Sequence, residues 1–238
     1  MGRLYGSVGR RDFLKFTGLM GAIAAMPWNT RPAWADTADM DMDEDRSLSP
    51  DEALNRLMAG NERFMHHTPK YPHQSAKRLH DVAQGQHPFA TVLSCADSRV
   101  PVELLFDVGV GDLFDIRVAG NVITPEVLGS IEYAAALLGT SLVMVLGHER
   151  CGAVTAAVQD KPLPGNINAF VNSIKPALGS KHDQSAQFIE TAVVSNVCYQ
   201  IDQMKQQSPI LADLEANGKL KIVGGRYDLD EGDVTLVA

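Results

Sequence analysis

Two short runs of this sequence carry residue types that bind metals and hold protons. The first is Cys95-Ala96-Asp97-Ser98-Arg99 and the second is His148-Glu149-Arg150-Cys151. Zinc takes thiolate, imidazole and carboxylate ligands in a tetrahedron, and a site that does chemistry keeps one position open or exchangeable. His148 and Cys151 are three apart, so both reach one ion if the chain turns from strand to helix between them. Cys95 can supply the third ligand, and Asp97 lies close enough to supply a fourth. Asp97 and Arg99 are spaced for a carboxylate–guanidinium pair. A lone strand-end cysteine is more often a small apolar residue than a ligand. The two runs together are what point to a metal.

The elements around these runs place them on one sheet edge. Residues 89–94 form a short apolar run ending at Cys95, and residues 141–146, the most strand-like run in the chain, end at Gly147-His148. Further strands are expected at 112–118, 220–227 and 234–237. Ser49-Pro50-Asp51-Glu52 reads as a helix start with a capping box, leading a helix to about residue 65. Other helices are expected at 76–84, 124–138, from near Cys151, and over 167–178 and 183–206, with a helix or helical turn at 102–108. Residues 66–75 read as loop. Alternating strands and helices with near-continuous apolar strands argue for an α/β fold. The expected architecture is a mostly parallel central sheet, about four parallel strands plus an edge strand, flanked by helices, with an N-terminal helical arm. Such sheets hold ligands beyond the carboxyl ends of their strands, where Cys95 and His148 stand.

Composition bounds the rest. The chain has 238 residues, 45% of them hydrophobic and 21% charged, which suits one packed soluble domain. No run of eighteen apolar residues suggests a membrane span. Arg10-Arg11-Asp12-Phe13-Leu14-Lys15, the apolar stretch from 16 to 26 and Ala33-Trp34-Ala35 together resemble a twin-arginine export signal. Cleavage after Ala35 and a periplasmic or otherwise exported location follow. Residues 1–35 carry five basic residues against Asp12, so their removal takes the net charge from -8 to -12. An acidic domain of this kind is a poor partner for nucleic acid or anionic membranes. Residues 36–48, holding Met40 and Met42, read as an acidic flexible tail, leaving 49–238 as the domain. Three cysteines are too few for a disulfide framework. A twin-arginine route moves folded proteins, so Cys95 and Cys151 could be metallated before export. Cys198 reads as a core or semi-buried helix thiol, and His66, His67, His73, His80 and His182 as surface residues. Glu149 and Arg150 receive no role.

The two runs resemble the signature of the β-class carbonic anhydrases, Cys-x-Asp-x-Arg followed by His-x-x-Cys. The similarity extends from Ser49-Pro50-Asp51-Glu52-Ala53-Leu54 through Leu113-Phe114, Arg117-Val118-Ala119-Gly120-Asn121 and Ser130-Ile131-Glu132-Tyr133 to Ile222-Val223-Gly224. The resemblance implies one Zn²⁺ per subunit on Cys95, His148 and Cys151, with Asp97 joining only in a closed state. It implies Asp97 and Arg99 as a catalytic dyad and Gln86 as a substrate donor reaching in from a neighbouring subunit, hence a homodimer or higher homo-oligomer. It places Phe114, Ala119, Tyr133 and Gly152 in the pocket; Ala119 stands where plant members carry a larger aliphatic residue. The implied reaction is reversible hydration of carbon dioxide to bicarbonate. Two thiolates and a neutral imidazole cancel the charge of Zn²⁺. Such a metal acidifies water less than the tris-histidine carbonic anhydrase site, where the bound-water pKa is about 7. Asp97, held by Arg99, is the group expected to assist. Family members that close through a bicarbonate pocket carry tryptophan three residues before the first ligand. Val92 stands there, so an open site is expected. Two other readings use the same ligands: hydrolysis of carbonyl sulfide or carbon disulfide, and a non-catalytic zinc protein.

Overall fold

The computed structural model describes residues 48–179 and 183–238. The segment read as an export signal, the acidic run from 36 to 47 and His182 lie outside the described residues.

The domain opens with α1 (Pro50–Met65), whose start is built as its sequence dictates. Ser49 Oγ accepts from the Glu52 amide at 3.3 Å, and Glu52 Oε2 accepts from the Ser49 amide at 2.8 Å. After α2 (Ala76–Val82) come β1 (Ala90–Ser94), the single turn α3 (Val102–Leu105), β2 (Leu113–Arg117) and α4 (Pro125–Tyr133). β3 (Leu142–His148), α5 (Gly152–Gln159), α6 (Asn168–Ile174), α7 (Ala186–Gln207) and α8 (Pro209–Ala216) follow. β4 (Lys221–Tyr227) and β5 (Val234–Leu236) close the chain.

The five strands form one sheet in the order β2-β1-β3-β4-β5, with the first four parallel and β5 antiparallel to β4. Both β1 and β3 are buried at every position, because helices cover both faces. On one face Ala53 and Leu57 of α1 and Val102 and Leu105 of α3 pack on Val92, Met144 and Leu146. On the other, Leu128 and Ile131 of α4 and Val197, Ile201 and Met204 of α7 pack on Leu93, Val143 and Val145. The chain leaves β1 for β2 on one side, then crosses back to β3 on the other. That reversal opens a crevice at the carboxyl ends of β1 and β3. Gly147 and Gly224 let α7 lie directly on the sheet beside it. A Cβ on either would stand 2.7 Å from a Val197 methyl.

Several expectations are corrected. Of the helix or helical turn expected at 102–108 the structure forms the turn, ended by Asp107 at φ 43°, whose carboxylate accepts from Arg63 Nε and the amides of Lys70 and Tyr71. The helix expected through residue 138 changes to a π-turn over Ala134–Leu138 before Gly139 at φ 77°. α8 was not anticipated, although Ser208-Pro209 repeats the start signal of Ser49-Pro50. Ser208 directly ends α7, so the sequence gives no gap between the two helices. His73 is not a surface residue. It is 4% exposed, with Nδ1 2.6 Å from Asp112 Oδ1, and Asp112 is also held by Arg78 Nη2 and the Gly109 amide. Its burial depends on a partner 39 residues away. His66, His67 and His80 are exposed and Cys198 is half-buried, as expected.

Candidate metal centre

Three buried side chains meet in the crevice. Cys95 follows the last residue of β1, His148 ends β3, and Cys151 caps α5. Their Sγ, imidazole nitrogen and Sγ atoms all lie within 4.8 Å of one another. The strand-to-helix turn is tight, with Arg150 at φ 49°.

The imidazole is oriented for ligation. His148 Nδ1 lies 2.8 Å from the Glu149 carbonyl oxygen, an acceptor, so Nδ1 carries the proton. Nε2 is left buried with no hydrogen-bond partner. A buried imidazole lone pair without a donor is costly unless something electrophilic takes it. The thiols are polarised as a pair. The Cys151 thiol donates to Cys95, the largest cause holding Cys95 well below the ordinary thiol range against the cost of burial. The same bond, followed by burial, pushes Cys151 up. A cation bound between the two sulfurs would displace protons from them.

Asp97 and Arg99 stand at the mouth. Arg99 donates from Nε to Asp97 Oδ1 at 2.9 Å and from Nη2 to Oδ2 at 2.8 Å, and its amide donates to Oδ1 at 3.0 Å. The guanidinium holds the Asp97 carboxyl well below the usual carboxylate range. Asp97 Oδ2 is 3.9 Å from His148 Nε2, so this carboxylate faces the three candidate ligands.

Other residues named from the sequence lie around this cluster or away from it. Phe114 and Tyr133 pair with ring centroids 6.2 Å apart and planes tilted by 40°. Ala119 is half-buried beside Gly120, whose amide donates to Cys95 Sγ at 3.4 Å. Gly152 is exposed, and a Cβ there would meet nothing within 4 Å. Gln86 is exposed before β1, at the opposite end of a strand that spans about 17 Å. It cannot reach the cysteine cluster of its own chain.

Two supports had no local signal in the sequence. Arg117 donates to the carbonyls of Cys95 (3.2 Å) and Asp97 (2.7 Å), fastening the loop that carries a ligand and the dyad. Glu149 and Arg150, given no role from sequence, belong to an ion-pair network. Arg226 bridges Glu149 and Glu190, Glu190 accepts from the Arg150 amide, and Arg150 pairs with Asp230 through both terminal nitrogens. The network fixes the turn between His148 and Cys151.

Comparison with known proteins agrees with this geometry. A sequence profile of the family described as carbonic anhydrase matches residues 90–234. Carbonic anhydrase 2 of Mycobacterium tuberculosis is 38% identical over 194 residues, which cover 80% of this chain and 94% of that protein. A carbonic anhydrase of Mycolicibacterium smegmatis is also 38% identical, over 192 residues covering 79% and 93%. Among solved structures, a Coccomyxa β-carbonic anhydrase in complex with acetazolamide has a TM-score of 0.61 and 28% identity, covering 80% of this chain and 86% of that one. The profile runs from the start of β1 to the start of β5 and contains both ligand runs, and the solved relative shares the sheet that brings them together; the chain belongs to the carbonic anhydrase family, in its β class.

Proposed function

We propose that the chain is a zinc enzyme that hydrates carbon dioxide reversibly to bicarbonate and a proton at the Cys95–His148–Cys151 centre. The observation that carries this is the unpartnered, buried Nε2 of His148 within 4.8 Å of two buried cysteine sulfurs, faced by the Asp97 carboxylate that Arg99 holds. Two soft sulfurs and one imidazole nitrogen form a donor set that fits Zn²⁺. Bound there, zinc would supply the Lewis acidity that makes water nucleophilic near neutral pH.

The chain's own residues do the remaining work. Asp97 accepts a hydrogen bond from the attacking water and aims its lone pair at the substrate carbon. Arg99 engages both carboxylate oxygens, keeping Asp97 ionised and turned away from a ligating position. This pairing supports the open arrangement expected from Val92. Phe114 and Tyr133 supply apolar wall for a substrate without net charge. Gln86, which cannot reach its own centre, donates to a substrate oxygen from a second copy, so the working unit is at least a homodimer. The run resembling a twin-arginine signal supports export with the metal already in place.

Stopped-flow hydration of carbon dioxide, with zinc content measured on the same sample, tests the proposal. One zinc per chain and a rate well above the uncatalysed reaction are expected. Asp97→Ala should keep its zinc and lose activity by about 100-fold or more. Full zinc with no rate above background would refute it.

A further inference from the structure

A helix that begins about 90 residues after Cys95, α7, grips the segment whose amide donates to that cysteine's sulfur. Asn196 and Gln200 lie one turn apart on α7, on the face turned toward the sheet, and each is 1% exposed. Their neighbours Ala192, Val193, Val197 and Ile201 are core residues, so two amides here must be matched by partners. They are. Asn196 Nδ2 donates to the Gly120 carbonyl at 2.9 Å, and Asn196 Oδ1 accepts from Gln200 Nε2 at 2.9 Å. Gln200 Nε2 also donates to the Ser173 carbonyl at 3.2 Å, while Gln200 Oε1 accepts from the Ile123 amide at 2.8 Å. Because the Ile123 amide can only donate and the Gly120 carbonyl can only accept, the polarity of the whole chain of amides is set.

The segment gripped at both ends is 120–123, and its first amide donates to Cys95 Sγ. Gly120 sits at φ 76°, and a Cβ would fall 2.6 Å from Ile174 Cδ1 and 3.1 Å from Ala153 Cβ. The peptide is therefore pinned from both sides: α5 and α6 press on its Cα, and α7 holds its carbonyl.

We propose that Asn196, braced by Gln200, is a positioning residue that keeps the Gly120 N–H on the Cys95 sulfur and thereby sets how much charge that thiolate donates to a bound cation. An N–H on a ligand sulfur draws electron density from it, and outer hydrogen bonds of this kind tune the metal as much as they hold the ligand. The neutral Cys₂His donor set makes this matter, since each increment of thiolate charge withdrawn restores Lewis acidity to the ion. The inference rests on the proposed metal centre and adds a residue about 100 positions from Cys95 in the chain to it.

Cobalt(II) replaces zinc as the probe, because its thiolate-to-metal charge-transfer band reports sulfur donation directly. Wild type should take one cobalt and show the band; failure to do so would overturn the metal centre itself. Asn196→Asp, equal in size but opposing an oxygen to the Gly120 carbonyl, should shift the band to lower energy. It should also weaken zinc binding, measured by chelator competition, by about 10- to 100-fold. Gln200→Met, which removes the brace and keeps the bulk, should shift the band the same way by less, and carries the test if the first variant does not fold. Met204→Ala, a buried truncation farther along α7, is the control that lowers stability without moving the band. If both polar variants keep the wild-type band and zinc affinity, Asn196 and Gln200 serve only packing and the inference fails.

Discussion

Replacing Gly147 by alanine tests whether α7 sets the position of the His148 ligand. The new Cβ would lie 2.7 Å from Val197 Cγ2 and 3.0 Å from Val193 Cγ1. Carbon atoms in contact sit about 3.5–4.0 Å apart, so the strand end or the helix must move by about 1 Å. Valine is stiff at χ1 in a helix, so neither methyl can swing clear cheaply. Overpacking of this size costs about 2–3 kcal/mol, or about 5–10 °C in unfolding temperature for a domain of this length. Because the next residue is the ligand, a shift of about 1 Å should also lower carbon dioxide hydration by about 100-fold. Val197→Ala alone should cost about 2 kcal/mol through two lost methyls and the cavity they leave. In the double variant the alanine methyl fills that cavity. Its destabilisation should therefore fall short of the two singles combined by about 2 kcal/mol, with much of the activity restored. Thermal unfolding and stopped-flow hydration on the four proteins measure both. A Gly147→Ala protein that unfolds at the wild-type temperature, or singles that simply add, would refute the reasoning.

Four other outcomes follow. Arg99→Ala should lower hydration by about 100-fold with little change in unfolding temperature, and Arg99→Lys should not restore it, because a single ammonium cannot engage both Asp97 oxygens. The Asp97 carboxyl is depressed in the folded chain, so the stability its pairing contributes is present above the ordinary carboxylate range and lost as pH falls below it. An activity loss of wild type between pH 6 and 8 would thus have another origin, and a midpoint that moves in Arg99→Ala over that range would contradict this. Asp115, half-buried on β2, is pushed up to about 6 by burial first and then by Glu103, with Arg117 opposing. A raised acid pKa means the folded state holds the proton longer, so stability falls as pH rises from about 4 to 6 and stays lower above. Discounted for solvent screening, the effect is about 1 kcal/mol. Asp115→Asn should unfold about 2–4 °C above wild type at pH 8, a gap that closes toward pH 4 in calorimetry. Removing the metal with a chelator at neutral pH should abolish hydration, and zinc alone should restore it; restoration by magnesium instead would contradict the two-sulfur donor set.

Much of the sheet was legible because its strands announce themselves. Residues 142–146 are apolar without interruption and 89–94 nearly so, and only strands covered on both faces tolerate that. Each ends at a ligand, so the sequence located the crevice before any coordinates. Capping chemistry located α1 as well. The α-helix α8, not expected from sequence, begins on a residue that also ends α7, and a shared cap leaves no break for periodicity to register. His73 was misread for a related reason: polar neighbours in sequence say nothing about an aspartate that folds onto it from β2's threshold.

What the sequence determined by itself was the inventory of the centre. Cys95, Asp97, Arg99, His148 and Cys151 stand out as candidates by type and spacing, since tetrahedral ligation and bidentate pairing demand particular atoms. What only the tertiary structure decided was everything that aims those atoms. The tautomer of His148 follows from the Glu149 carbonyl, the Cys95 loop from Arg117, the turn at Arg150 from Glu190 and Arg226, and the hydrogen bond on Cys95 from Asn196. The last four supports come from 22 to 77 residues away. Ligand identity is local chemistry and is written locally. Orientation is set by contacts between elements that only the folded chain brings within hydrogen-bond distance of each other.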